Sequence, residues 1–394
     1  MIFNDRRSIL FGTDTLTPRE IRSQIPYRAA SGYATLEEAY TEFTGGTVSD
    51  INGETAIKLN SVNGANATTN HTYVDALPLA QYIMLPIYIS SLSNLLEFRI
   101  FFRDVFNGAN YFRYNGGVPS GIKTGFNIFI VNKAEFIASG AADWANCKYL
   151  EFHCQAKAGL NCEARFGKIE TYNMAPLCTI SFDDGEITHF TNAWSYMKTK
   201  TPSIVGCDAI ITDTIGDATH FSEANVRELI AAGWDIQNHT KNHIDLSTLT
   251  EAEADYQTSK AMEYLIGIGA GKGAFQISIP FSGAGAIVEK VSRKYATIKK
   301  VWNIPGYYNK QPVLDTYHLE TFSVEYNVTL ATVKGWIDEA IANQYYLVLL
   351  FHMINDTGLQ YTWPIADFQA VIDYLDTNKA LIKTVTMTQA LYRM

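Results

Sequence analysis

Cysteine is scarce in this chain, long apolar runs are missing, and charge of neither sign is concentrated anywhere. The five cysteines among 394 residues (Cys147, Cys154, Cys162, Cys178 and Cys207) include no C-x-x-C pair, and their odd number argues against a disulfide framework. They read instead as small buried apolar residues. No stretch approaches the roughly 20 apolar residues that cross a bilayer. The first residues, MIFNDRRSILFGTDTLTPRE, lack the apolar centre of a signal peptide. The chain is therefore expected to stay in the cytosol or to leave the cell without a cleaved leader. Acidic residues outnumber basic ones 40 to 31, for a net charge of −9, but no block of either sign stands out. The electrostatic footprint of a nucleic-acid binder is missing, so neither nucleic acid nor membrane is expected as a partner.

What is present is ample core-forming material, 47% hydrophobic residues, in a chain long enough for two domains. Residues 1–30 are polar and mixed, and read as an arm or attachment segment. Residues 31–173 have a β texture: AIKLNSV, LEFRIFFRDVF, YFRYN, FNIFIV and KYLEFHCQA are short, aromatic-rich and set apart by Gly- and Asn-rich turns. The expectation is an all-β sandwich, jelly-roll-like, that binds carbohydrate or serves assembly.

From residue 174 to 394 strand-like and helix-like runs alternate. Ser222 is placed to cap a helix that Gly233 stops, Thr250 and Glu253 form a capping box, and Pro364 opens the last helix. Between them lie seven strand candidates: LCTISF, SIVGCDAIIT, WDIQN, AFQIS, TIKKVWN, YLVLLF and IKTVTM. The repeated βα order predicts an α/β domain, an irregular (β/α) barrel of about seven strands.

In such a barrel the C-terminal strand ends meet on one rim. Asp183 and Asp184 follow the first strand, His239 and His243 the third, and His352 the run YLVLLF. Alone, Asp-Asp-Gly is an ordinary turn and H-x-x-x-H a solvated face; their joint placement at strand ends sets them apart. Two imidazoles and a carboxylate make a three-ligand set for zinc or a similar ion, with one position open to water, and hydrolysis follows as the natural chemistry. The two aspartates should differ in role if strand alternation runs through them, one binding metal and one taking a proton. Gly185 would let the chain turn sharply beside them. Asn238 opens an N-x-T sequon that includes His239, so a glycan there would cover the site.

At these residues the sequence resembles the NodB-type polysaccharide deacetylases, carbohydrate esterase family 4, over about 174–392. SFDDG at 181–185, HTKNH at 239–243 and Leu350-Phe351-His352 match three ordered motifs. The resemblance implies a hydrolase that removes N- or O-acetyl groups from a polysaccharide by attack of a metal-bound water. It implies Asp183 as base, His352 as acid, and one divalent ion on Asp184, His239 and His243: Zn2+, with Co2+ or Ni2+ as alternatives. By the same resemblance the N–H of Phe281, in SIPFSG, would hold the oxyanion and Leu350 would line the acetyl pocket. Two departures stand out. Ser278 occupies the place of an arginine that orients the base in many members, which leaves the orientation of Asp183 unexplained. The D-x-x-D-W motif is missing, and Trp302 would take over part of its role.

The expected partner is an acetylated polysaccharide or oligosaccharide, with assembly or oligomerisation through the N-terminal region. A sandwich joined to a glycan-modifying barrel without a leader suggests an extracellular or virion-associated protein. The competing expectation is a non-catalytic adhesin or phage tail receptor-binding protein with a degenerate barrel; a small-molecule amidohydrolase is a third.

Overall fold

The computed structural model describes residues 9–10, 31–36, 40–51, 53–115, 122–303, 307–313 and 315–391. The arm expected over 1–30 falls, apart from Ile9–Leu10, outside them. The chain divides into two compact units, Met1–Met174 and Ala175–Met394.

The first unit is built from two antiparallel sheets. One follows the order Ile9–Leu10, Gly125–Asn132, Tyr82–Ile89, Cys162–Phe166, Glu54–Ser61 and Thr47–Ile51, with Glu170–Asn173 pairing both Tyr82–Ile89 and Ser31–Thr35. The other runs Ile137–Ser139, Tyr111–Asn115, Leu95–Arg103, Tyr149–Ala156 and Asn66–Thr72. Alternation decides the facing: along Leu95–Arg103, Phe98, Ile100 and Phe102 are fully buried while Glu97, Arg99 and Arg103 are only half-buried. Those phenylalanines join Ile57 and Leu59 of the first sheet and Phe152 of the second in one apolar cluster.

The second unit is a closed parallel barrel. Its strands are β1 (Leu177–Asp184), β2 (Cys207–Ile210), β3 (Asp235–Asn238), β4 (Gln276–Ser278), β5 (Ile298–Asn303), β6 (Leu319–Val324) and β7 (Tyr346–Phe351). Neighbours pair in that order and β1 pairs both β2 and β7, closing seven strands. The total of seven agrees with the sequence reading, but the membership differs. LETFSV, now β6, was not among the candidates, and IKTVTM shrinks to Lys383–Thr384, which flanks the start of β1 without entering the ring.

Helices α1 (Glu223–Ala231), α2 (Glu251–Gly267), α3 (Ala286–Tyr295), α4 (Leu330–Asn343) and α5 (Ile365–Thr377) pack outside. The expected caps are present: Ser222 accepts from Asn225 N, and Thr250 closes a box with Glu253. Gly233 leaves α1 at φ 95°. Between β1 and β2 the chain forms a π-type turn, His189–Trp194, followed by one helical turn, Ser195–Met197. Val333, Ile337 and Ala340 on α4 and Phe368, Val371, Ile372 and Leu375 on α5 are fully buried against the barrel wall. Among the described residues no helix is long and apolar enough to cross a membrane, and all five cysteines are buried and unpaired.

Candidate active site

The rim of the barrel gathers the residues that the sequence singled out. A cavity of about 150 Å3 is lined by Asp183, Asp184, His239, His243, Phe281, Leu350 and His352, with Ser278, Ile279, Ser282, Lys300 and Tyr361 completing the wall. Trp302 lies on β5 opposite Thr321, and its side chain is outside the described residues.

The two aspartates reach one cavity because alternation stops between them. Asp183 ends the regular part of β1 with its side chain inward. Asp184 takes φ 80°, a left-handed conformation that costs a non-glycine residue about 1–3 kcal/mol and is found where function over-determines the backbone. Gly185 continues at φ 76°, and a Cβ there would come within 2.9 Å of Ile210 Cγ2, so both the turn and the space require glycine.

His239 and His243 meet through a tight turn and not a helix, with Thr240 at φ 67° and His243 at φ 61°. Asn238 Oδ1 accepts the N–H of Thr240 at 2.8 Å, and Thr240 Oγ1 accepts that of His243 at 3.1 Å. The Asn238 amide also donates to Thr258 O at 2.9 Å. Thus the sequon asparagine is buried and committed to shaping the turn.

His239 Nδ1 donates to Ser278 O at 2.8 Å, which leaves the Nε2 lone pair facing the cavity. Asp184 Oδ1 stands 3.2 Å from His239 Nε2 and 3.3 Å from His243 Nε2, and the two Nε2 atoms are 3.1 Å apart. A tetrahedral centre with ligand bonds of about 2.0–2.1 Å separates its ligands by about 3.3 Å. The triangle therefore fits a zinc-sized divalent ion. Burial would lift the Asp184 carboxyl, but His239, His352 and His243 hold it well below the usual range. Burial would lower His239, yet Asp183 and Asp184 outweigh it and raise the imidazole. Burial and the neighbouring His239 lower His243. Three groups so close are set to exchange protons for a cation.

Asp183 stands apart from this triangle. Ser278 Oγ donates to its Oδ2 at 2.7 Å and Lys300 Nζ to its Oδ1 at 2.5 Å. Burial alone would raise the carboxyl; the Lys300 ammonium and the nearby imidazoles overcome that and keep it low, hence ionised. His352 follows β7. Burial lowers its pKa in spite of both aspartates, and its Nδ1 is buried without a partner. Behind it His189, fully buried, donates Nε2–H to the His352 carbonyl at 2.9 Å and pairs through Nδ1 with Asp208 Oδ2 at 2.8 Å. The Phe281 ring, 65% exposed, lies 4.6 Å from His243, and the Tyr361 ring, 45% exposed, 5.2 Å from His352. Phe281 itself sits at φ 54° in a turn closed by Ser282 N to Ile279 O and Gly283 N to Pro280 O.

The sequence reading missed Lys300, Tyr361, His189 and Asp208. Two successive lysines in the strand Ile298–Asn303, one of which alternation must turn inward, were the available signal for the first.

Residues 173–297 match the family model described as polysaccharide deacetylase. The resemblance read from the motifs is borne out over that segment, which holds Asp183, Asp184, His239, His243 and Ser278. No curated protein matches the chain by sequence. Solved structures similar to it include a family 4 carbohydrate esterase from Streptomyces lividans in complex with acetate, at 17% identity and a TM-score of 0.36, covering 52% of this chain and 88% of that one. The peptidoglycan deacetylase PdaC from Bacillus subtilis aligns at 14% identity and 0.37, covering 55% and 90%. The chitin deacetylase from the fungal pathogen Colletotrichum lindemuthianum aligns at 15% and 0.35, covering 55% and 88%.

Proposed function

We propose that the barrel is a metal-dependent carbohydrate esterase that removes acetyl groups, amide- or ester-linked, from a polysaccharide. The observation that carries this reading is the near-tetrahedral spacing of Asp184, His239 and His243 in a cavity that also holds a second carboxylate, Asp183, and a separate imidazole, His352. The match to the polysaccharide deacetylase family supports the substrate class.

A divalent ion on those three residues would supply Lewis acidity and bring the pKa of water toward about 7. The protein's own groups do the rest. Asp183, kept ionised by Lys300, accepts a proton from the water that attacks the acetyl carbonyl. His352, which follows β7 next to β1, protonates the departing sugar nitrogen or oxygen. Phe281 N–H, presented by the strained turn, donates to the oxygen that gains charge, and Leu350 bounds the acetyl methyl. Trp302 is proposed to lend support on β5. The N-terminal unit, two antiparallel sheets around one core, is proposed to be a jelly-roll-like sandwich that binds glycan or mounts the barrel on an assembly.

The test is acetate release from acetylated xylan, chitin oligomers, peptidoglycan and capsular polysaccharides, with and without chelator, beside metal stoichiometry. Asp184→Ala is expected to lose both the ion and turnover. Full activity in that variant would falsify the reading; glycan binding without acetate release across the panel would favour a barrel that binds and does not cut.

A further inference from the structure

Resting on the esterase reading, we propose that Lys300 is the positioning residue of the base: from β5 it fixes the plane of the Asp183 carboxylate, standing in for the arginine that position 278 lacks.

The argument starts from register. Ser278 on β4 and Lys300 on β5 are direct partners across the parallel pair, so their side chains rise together on the barrel's inner face. Each takes one oxygen of Asp183, the serine hydroxyl Oδ2 and the lysine ammonium Oδ1. Two donors on two oxygens leave the carboxylate no free rotation about its own bond. An ammonium has three N–H groups. The second meets Ser181 Oγ at 2.9 Å and the third points to Phe182 O at 3.4 Å, both on β1, the strand that carries Asp183. One side chain therefore spans three consecutive residues of β1. Only 2% of it is exposed, so solvent offers its charge no alternative partner. Its sequence neighbour Lys299 points the other way and pairs with Glu289, so the inward lysine is a matter of strand phase.

An arginine at 278 would bring both donors from β4. Here the same task is divided between adjacent strands, and serine at 278 leaves room for the lysine to pass. This accounts for an Asp183 that is held firmly although the sequence lacks the familiar cation.

The experiment compares Lys300→Met, Lys300→Arg and Lys300→Met with Ser278→Arg, all in the full chain. Expected for Lys300→Met is a fall in kcat on the order of a hundredfold, with KM and the zinc Kd, read by competition with a chelating dye, within about threefold of wild type. At least one of the two arginine variants should recover about tenfold, because a cation again reaches Asp183. An undiminished kcat, a fall that merely tracks loss of zinc, or failure of both arginine variants overturns the proposal. A double-mutant cycle with Asp183→Asn reads the pair without turnover: denaturation midpoints should be non-additive, and additivity overturns the proposal as well. Should the wild-type chain release no acetate at all, the esterase reading fails alone and the cycle still decides the role of Lys300.

Discussion

Tyr361 and Phe281 are large, exposed rings that line the cavity, one beside His352 and one beside His243. Exposed aromatics cost solvation free energy, and the flat face of a sugar ring can recover it by covering them. Tyr361→Ala should therefore raise KM for a polymeric substrate about tenfold, the equivalent of about 1.4 kcal/mol, and change kcat little, whereas Tyr361→Phe stays near wild type. Steady-state acetate release on long and short oligomers measures this; equal KM values would assign the ring to packing. Tyr361 could not be placed from the sequence, because it reaches the cavity from a loop whose path no periodicity records, and Phe281 was singled out for its N–H and not for its ring. The proposed ligands were legible for the opposite reason: metal chemistry admits few residue types, so two histidines and an aspartate at strand ends stand out from the background. Lys300 falls between. Its residue type is visible, but its value depends on a phase and a register that only the folded barrel defines. Spacing alone leaves a helix and a tight turn equally open for His239 and His243; the turn forms because Asn238 and Thr240 bend the backbone through side-chain hydrogen bonds.

At the scale of elements, His189 ties three parts of the barrel together: the π-type turn after β1, Asp208 on β2 and the backbone leaving β7. Burial lowers this imidazole, but Asp208, Glu186 and Asp184 more than compensate and raise it. Burial raises Asp208, and His189 offsets only part of that. Both groups hold protons more tightly folded than unfolded, so folding takes up protons and the contribution of the pair declines as pH rises. For His189 it is complete below the unfolded value of about 6.5 and is lost as pH climbs through the raised folded value. His189→Leu is expected to cost about 3–5 kcal/mol at pH 6, because it strands a buried carboxyl. The deficit should narrow at pH 9; urea denaturation at the two pH values measures it, and a constant deficit would mean that the pair carries no linked proton. Strand identity was least legible where local rules are broken. Tyr82–Ile89 is central to its sheet yet contains Pro86, which ordinarily argues against such a place. The break is local, since Gly167 N still finds the Pro86 carbonyl at 2.8 Å. LETFSV was hidden because, among the described residues, only the short 3-10 turn Thr316–His318 and no α-helix separates it from β5, so the βα rhythm that revealed its neighbours skips a beat.

At the scale of the molecule, the main apolar clusters of the two units do not share a residue: one runs from Leu36 to Ile169 and the other from Cys178 to Ile382. Each unit thus has what a separate cooperative transition requires. A ligand that binds only the folded state stabilises it by RT ln(1 + [L]/Kd), about 4 kcal/mol at a thousandfold excess over Kd. Zinc should therefore raise one calorimetric transition of the full chain and leave the other in place. His239→Ala should abolish that shift without moving the second transition, because His239 contacts only barrel residues among its hydrogen-bonded partners. Phe152→Ala supplies the reciprocal arm. Its ring is fully buried and stacks on Phe166 at 4.6 Å, so truncation should lower the metal-insensitive transition by about 3–5 kcal/mol. Zinc Kd and acetate release should survive that change. If zinc instead moves both transitions together, the cores melt as one cooperative body, and the separation of the two clusters has no thermodynamic counterpart.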